Sequence, residues 1–400
     1  MRLLLSAFFL TMVTLSAQAA PVLDIQKIVT PKGLEVWFVQ DKHLPMMALQ
    51  FSVRGGAQFD PKGKDGTAEM LSTLLDEGAG KRDAESFQSD LDTYGIKIGF
   101  SNGRDSFSGA LKTTTEFKDV ALDMIADALN APHIDKDAIA RMRQALLSSR
   151  RLSEMNPNWL AGDVLFRAMY PNHSYGRTPD GTVATLQAIT RNDILDVKDR
   201  LFCRDRLKIA LVGDLNKDEA ATSIDRLFGA WPVCKDKNET TVTPPVQGIA
   251  QHIERDGAQS VLLMVQSGPA RQDKDWWASR ILDFTLGGGG FSSRLMEEVR
   301  VKRGFTYGIG SSLATYDLSP LWMISAGVDP AHIDETIMLV KKTWDDVAAN
   351  GLTEDEISAA KSYMIGALPL AMTTSDQIVG ILLQLQEDRF ADRHAGPSRS

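Results

Sequence analysis

Phe107-Ser-Gly-Ala-Leu111 alternates like a strand, and Glu116–Ile125 (EFKDVALDMI) follows it with apolar residues at helical spacing. The same order returns later, as Trp322-Met-Ile-Ser-Ala326 and then Ile333–Val340 (IDETIMLV). Each pair continues alike. Ile134-Asp-Lys-Asp137 leads into a helix through Arg141–Leu152, and Leu352-Thr-Glu-Asp355 leads into one through Ile357–Ala367. Thr353 with Glu356 three positions on has the form of a capping box, and Asp135 holds the matching place in the first copy. Upstream, Ala48–Val53 (ALQFSV) corresponds to Val261–Val265 (VLLMV), each followed by a polar loop and a helix. Order, element type and spacing agree, so the chain is an internal duplication. Strands and helices mix without a regular βαβ rhythm, which predicts α+β halves.

The polar Thr/Pro stretch Lys235–Gly248 (KDKNETTVTPPVQG) reads as the join, giving units at 20–247 and 248–400. The units are unequal. The first continues through 190–199 to the apolar strand Leu207–Val212 and a helix ending before Trp231. The second reaches a helix around Ser375–Leu385 and then a polar tail from Glu387 to Ser400. The expectation is a second domain truncated at its C-terminus, with a sheet edge uncovered.

Composition narrows the function. In 400 residues there are 44 Lys and Arg against 52 Asp and Glu, a net charge of −8, which argues against nucleic-acid or anionic-membrane binding. A hydrophobic share of 43% excludes a disordered chain, and two cysteines exclude a disulfide framework. Residues 1–19 (MRLLLSAFFLTMVTLSAQA) carry one charge, a short apolar run and Ala17-Gln18-Ala19, the form of a cleaved signal peptide. The protein is expected to be periplasmic or secreted, with no integral membrane segment once the leader is removed. In an oxidising compartment, Cys203 and Cys234 are either bridged or two separate buried thiols.

Three motifs carry a family resemblance: Asp65-Gly-Thr-Ala-Glu-Met-Leu-Ser-Thr-Leu-Leu-Asp-Glu-Gly78, Leu286-Gly-Gly-Gly-Gly-Phe-Ser-Ser-Arg-Leu295 and Arg300-Val-Lys-Arg-Gly-Phe-Thr-Tyr307. With Asn156-Pro-Asn-Trp159, they resemble the insulinase, or M16, family of zinc endopeptidases over nearly the whole mature chain. The resemblance implies two homologous domains, each an antiparallel sheet flanked by helices. Catalytic members carry His-x-x-Glu-His on one helix, two imidazoles for zinc and a carboxylate for the metal-bound water. Here Glu69 and Thr73 stand at the two His positions, Ser72 at the general base and Ser149 at the distal Glu ligand. Serine and threonine hydroxyls are poor zinc ligands, so no metal is expected in this chain. No two of its six histidines (His43, His133, His173, His252, His332 and His394) lie within five residues, so no helix offers a replacement pair.

The other half of the family's machinery is retained. An Arg and a Tyr in R-x6-Y spacing contact substrate backbone near the scissile bond, and Arg300 and Tyr307 match that spacing. Locally, 292–300 reads as a helix with Gly304 at its left-handed end, and a strand begins at Phe305. On periodicity alone Tyr307 shares a strand face with Phe305 and Ile309, which is a core position. Arg300 alone reads as a residue favouring a helix C-terminus. Gly287, Gly288, Gly289 and Gly290 lack the lysine of a phosphate loop and read as a turn needing permissive backbone angles, while the resemblance implies a mobile loop that helps recruit peptide. The resemblance implies a non-catalytic, substrate-binding subunit that pairs with a zinc-bearing M16 subunit and handles peptide or unfolded protein. Zinc is expected in that partner. Two other classes stand beside it: a stand-alone peptide-binding scaffold, and an active zinc endopeptidase with a displaced site.

Overall fold

Nine strands of β-branched and aromatic residues assemble two sheets in the computed structural model, which describes residues 23–235 and 243–388. The leader read at 1–19, the middle of the linker and the polar tail from 389 fall outside those residues. The first half runs β1 (Gln26–Val29), β2 (Glu35–Gln40), β3 (Met46–Arg54), α1 (Thr67–Ser72), α2 (Ala84–Tyr94), β4 (Lys97–Asn102) and β5 (Ser106–Thr114). Then come α3 (Lys118–Asn130), α4 (Lys136–Met155), α5 (Pro157–Met169), α6 (Val183–Ala188), α7 (Arg191–Leu201), β6 (Leu207–Gly213) and α8 (Lys217–Phe228). The second half holds β7 (Ser260–Ser267), α9 (Trp276–Asp283), β8 (Thr306–Ala314), β9 (Leu321–Val328), α10 (Ile333–Asn350), α11 (Glu354–Leu370) and α12 (Ser375–Glu387).

The duplication reappears in the strand order. The first sheet is β1-β2-β6-β3-β5-β4 and the second β7-β9-β8, so β3-β5-β4 and β7-β9-β8 are the repeated unit. Pairing is antiparallel except that β2 runs parallel to β6, Trp37 opposite Ala210, which corrects the all-antiparallel expectation. Parallel neighbours need a long crossover, and the excursion from β3 to β6 through α1–α7 supplies one. Among the described residues the second sheet has three strands against six in the first. Caps follow the sequence: Asp135 accepts from the amides of Asp137 and Ala138 to open α4, and Thr353 and Glu356 form the capping box of α11.

The two halves exchange helices. α12 leaves its own half and lays Ile378, Val379, Leu382 and Leu383 on Trp37, Val39, Ala48, Ala210 and Val212, the open face of the first sheet. The i, i+1, i+4, i+5 spacing makes one apolar stripe. At its end the buried Gln386 side chain pairs with the Ile209 backbone, donating to its carbonyl at 2.7 Å and accepting from its amide at 3.3 Å. Reciprocally, Phe166, Met169 and the following Tyr170 at the end of α5 pack with Leu318, Leu321, Val265 and Met323 of the second half. A polar clasp closes the seam. Asp105 accepts from the Tyr175 hydroxyl (2.5 Å) and the Asp317 amide (3.0 Å), Tyr175 accepts from the Leu318 amide (3.0 Å), and Arg54 pairs with Asp317.

Cys203 and Cys234 are joined in a disulfide across 31 positions, next to Trp231 stacked on Phe202 at 4.8 Å. Closing such a loop contributes roughly 3–4 kcal/mol in the chain-entropy model. Reduction with dithiothreitol, or Cys203→Ser with Cys234→Ser, is expected to lower the unfolding free energy by an amount of that order, read as a fall in the urea midpoint at unchanged slope. An unchanged midpoint would count against the bridge. Leu382→Ala, at a fully buried site of the exchanged helix, is expected to cost about 2–5 kcal/mol. A loss below about 1 kcal/mol, within the range of surface substitutions, would show that α12 does not hold the first sheet.

Candidate functional site

Helix α1 and the Thr73 that follows it hold Glu69, Ser72 and Thr73, the positions the resemblance matched to the zinc motif, and the start of the helix is set by a buried carboxylate. Asp60 accepts from the amides of Gly66 (2.7 Å) and Ala68 (2.8 Å), while Arg177 reaches the Asp60 carbonyl and the Asp65 carboxylate, both at 2.9 Å. Burial nevertheless pushes the Asp60 carboxyl up to about 7, against the pull of those amides. Gly66 sits at φ +92°, and a Cβ there would meet the Gly181 backbone at 3.0 Å, so both conformation and space demand glycine.

The Ser72 and Thr73 hydroxyls are turned into their own helix. Ser72 Oγ donates to the Glu69 carbonyl (2.8 Å) and Thr73 Oγ1 to the Met70 carbonyl (3.0 Å). Ser149 lies exposed on α4. Glu69 is the one carboxylate of the four positions, and among the described residues no group of three or more His, Cys, Asp or Glu side chains is arranged to hold a metal. This donor set does not fit zinc.

Glu69 is held close to neutral. Burial raises its carboxyl to about 7, and the nearby Asp180 charge adds to the rise. A raised folded-state value means that the stabilising, protonated form is fully present below about 4.5 and is lost as the pH rises through about 7. Glu69→Gln is therefore expected to flatten stability across that window. It should raise it at pH 8 by about 1–2 kcal/mol, less than the full shift because solvent screens a partly exposed group. Thermal midpoints from pH 4 to 8 check this, and a variant that loses stability at pH 8 contradicts it.

The second constellation surrounds β8. The segment expected to be a plain helix over 292–300 instead has a 3-10 turn at Gly290–Ser292 and a wide π-helical turn at Met296–Val301. Ile309 N donates to Met296 Sδ at 3.5 Å, and Phe305 N to the Val299 carbonyl at 3.1 Å. These contacts fold the π turn against β8, so Arg300 and Tyr307 stand on adjoining elements. Gly304 takes φ +70° and its amide reaches the Arg300 carbonyl at 2.9 Å. The Arg300 guanidinium lies 4.4 Å over the ring of Phe291, which is 67% exposed. The sequence motif includes Phe291 but does not single it out as a site residue, although an aromatic directly after four glycines is a visible signal.

Tyr307 is not a core residue. It is 82% exposed, and the face shared with Phe305 and Ile309 that alternation predicts does not form. The cause is a β-bulge: Thr306 pairs with Val328 and Gly308 with Gly327, leaving Tyr307 as the extra residue. The glycine run is tight at Gly287 and Gly289 and open at Gly290, where a Cβ would meet nothing within 4 Å. A Cβ on Gly287 would lie 2.5 Å from the Ser311 amide of β8, and one on Gly289 2.7 Å from the Phe284 carbonyl. Arg294, just beyond, forks onto Glu356 with bonds of 2.7 and 2.8 Å, and this guanidinium holds the Glu356 carboxyl down to about 2.

Known proteins match this chain over both halves. A family model described as insulinase (peptidase family M16) matches residues 36–182, and one described as the peptidase M16 inactive domain matches 188–364. An uncharacterized zinc protease of Streptomyces coelicolor is 26% identical over 324 residues, 79% of this chain and 70% of that protein. The non-peptidase homolog YmxG of Helicobacter pylori is 23% identical over 343 residues, 85% of this chain and 78% of that one. The crystal structure of a peptidase M16 inactive domain from Pseudomonas fluorescens superposes with a TM-score of 0.84 at 28% identity, covering 91% of this chain and 87% of that one. With both halves matched and the fold superposed end to end, the chain belongs to the M16, or insulinase, peptidase family.

Proposed function

We propose that this protein is the non-catalytic, peptide-binding subunit of a two-subunit M16-type peptidase acting in the periplasm or outside the cell. The observation that carries the reading is the contrast between its two constellations. Of the positions matched to the zinc motif, Ser72 and Thr73 bond to their own helix and only Glu69 is a carboxylate, whereas Tyr307 stands 82% exposed beside the element that bears Arg300. A guanidinium and a phenol both donate hydrogen bonds, and together they suit the carbonyl of an extended peptide or the oxyanion that develops from it. A zinc-bearing partner supplies the hydrolytic chemistry. The leader pattern and the disulfide support an oxidising location.

The test is reconstitution with a zinc-bearing M16 homologue and a peptide cleavage assay. The chain alone is expected to cleave nothing, with or without added zinc. In the complex, Arg300→Ala and Tyr307→Ala are each expected to lower turnover about 10-fold or more, the worth of one donor aimed at developing charge. Full turnover in both variants sinks the proposed role. A chain that stays monomeric with every zinc-bearing homologue supports the stand-alone scaffold instead.

A further inference from the structure

We propose that Thr306 is the positioning residue for Tyr307: its hydroxyl holds the bulge that turns the phenol out of the strand and toward peptide. The functional half of this inference rests on the peptide-binding role proposed above; the conformational half stands on geometry alone.

Alternation would send every second residue of β8 to the same face. From Ile309 onward it does, with Ile309 and Ser311 buried and the intervening Gly310 and Ser312 more exposed. Extended backward, the rule buries Tyr307 and exposes Thr306. The observed burial is reversed: Thr306 is buried and Tyr307 protrudes. One inserted residue shifts the parity, so even-numbered Thr306 shares the inner face with odd-numbered Ile309.

A bulge interrupts the ladder and leaves backbone groups to be satisfied by other means. Thr306 Oγ1 meets them at this point. It accepts from the Gly308 amide at 2.9 Å, and its single proton goes to the Gly327 carbonyl at 2.6 Å or the Gly308 carbonyl at 2.8 Å. One hydroxyl thus ties the residue before the bulge to the residue after it and to the opposite strand. Valine has the same shape without the hydroxyl. In that variant the backbone groups lose their partner, and the regular register, with Tyr307 opposite Val328 and its ring on the Ile309 face, competes with the bulge.

Nitration by tetranitromethane reads the outcome, with the modified tyrosines quantified by peptide mass spectrometry. Tyr363, 63% exposed on α11, is the internal reference. In Thr306→Val the ratio of Tyr307 to Tyr363 nitration is expected to fall at least about fivefold, and Thr306→Ser is expected to restore it. Circular dichroism checks folding. Thr306→Ala, which adds no methyl beside Gly327, carries the test where the valine variant does not fold. A ratio unchanged in a folded variant lacking the hydroxyl overturns the proposal. In the reconstituted peptidase, Thr306→Val is expected to lower turnover, and to add nothing in a Tyr307→Ala background. Reduced nitration with unchanged turnover upholds Thr306 as the residue that positions Tyr307 while refuting the peptide-binding role of Tyr307.

Discussion

Everything in this molecule depends on an exchange of helices between its halves. A sheet has two faces, and each half covers only one of its own with its own helices. The open face of the first sheet is sealed by Ile378, Val379, Leu382 and Leu383 from the far end of the chain. The second half receives Phe166, Met169 and Tyr170 from the first. The apolar area hidden in this way is lost to both halves if they part, so the hydrophobic effect favours one body over two. Polar groups trapped at the seam are satisfied across it: Asp105 accepts from Tyr175 on its own side and from the Asp317 amide on the other. The same frame carries α1 from one repeat and the π turn with β8 from the other, which fixes the two constellations relative to each other.

Keeping the fold makes no demand on a metal site, because different atoms serve the two. The helix of the family's zinc motif persists for reasons that have nothing to do with zinc. Asp60 caps its first amides, and Gly66 permits the close approach of Gly181. At the matched positions Ser72 and Thr73 satisfy their hydroxyls on the preceding turn, and burial raises the Glu69 carboxyl to about 7. On the second repeat the emphasis is reversed: a 3-10 turn, a π turn and a bulge distort regular elements and present Phe291, Arg300 and Tyr307.

Much of this was legible in the residues. Thr353 with Glu356 announces a capping box, which forms, and the match of 48–53 with 261–265 anticipates β3 and β7 at equivalent places in their sheets. Other features were hidden. The stripe 378–383 declares that α12 is amphipathic but not which sheet receives it, because periodicity carries no address. The alternation around Tyr307 led to the wrong face. The bulge arises from pairing with β9 and from the reach of the Thr306 hydroxyl to Gly327, a residue 21 positions away.

The sequence by itself determined what local chemistry controls: the duplication, the helix caps, the absence of imidazole at the metal positions and the spacing of Arg300 and Tyr307. Those follow from residue identity and short-range periodicity. Only the tertiary structure decided that the halves trade helices, that β2 and β6 run parallel, and that Tyr307 faces outward. Each of these depends on which strand lies beside which, and that is settled by contacts between residues far apart in the chain.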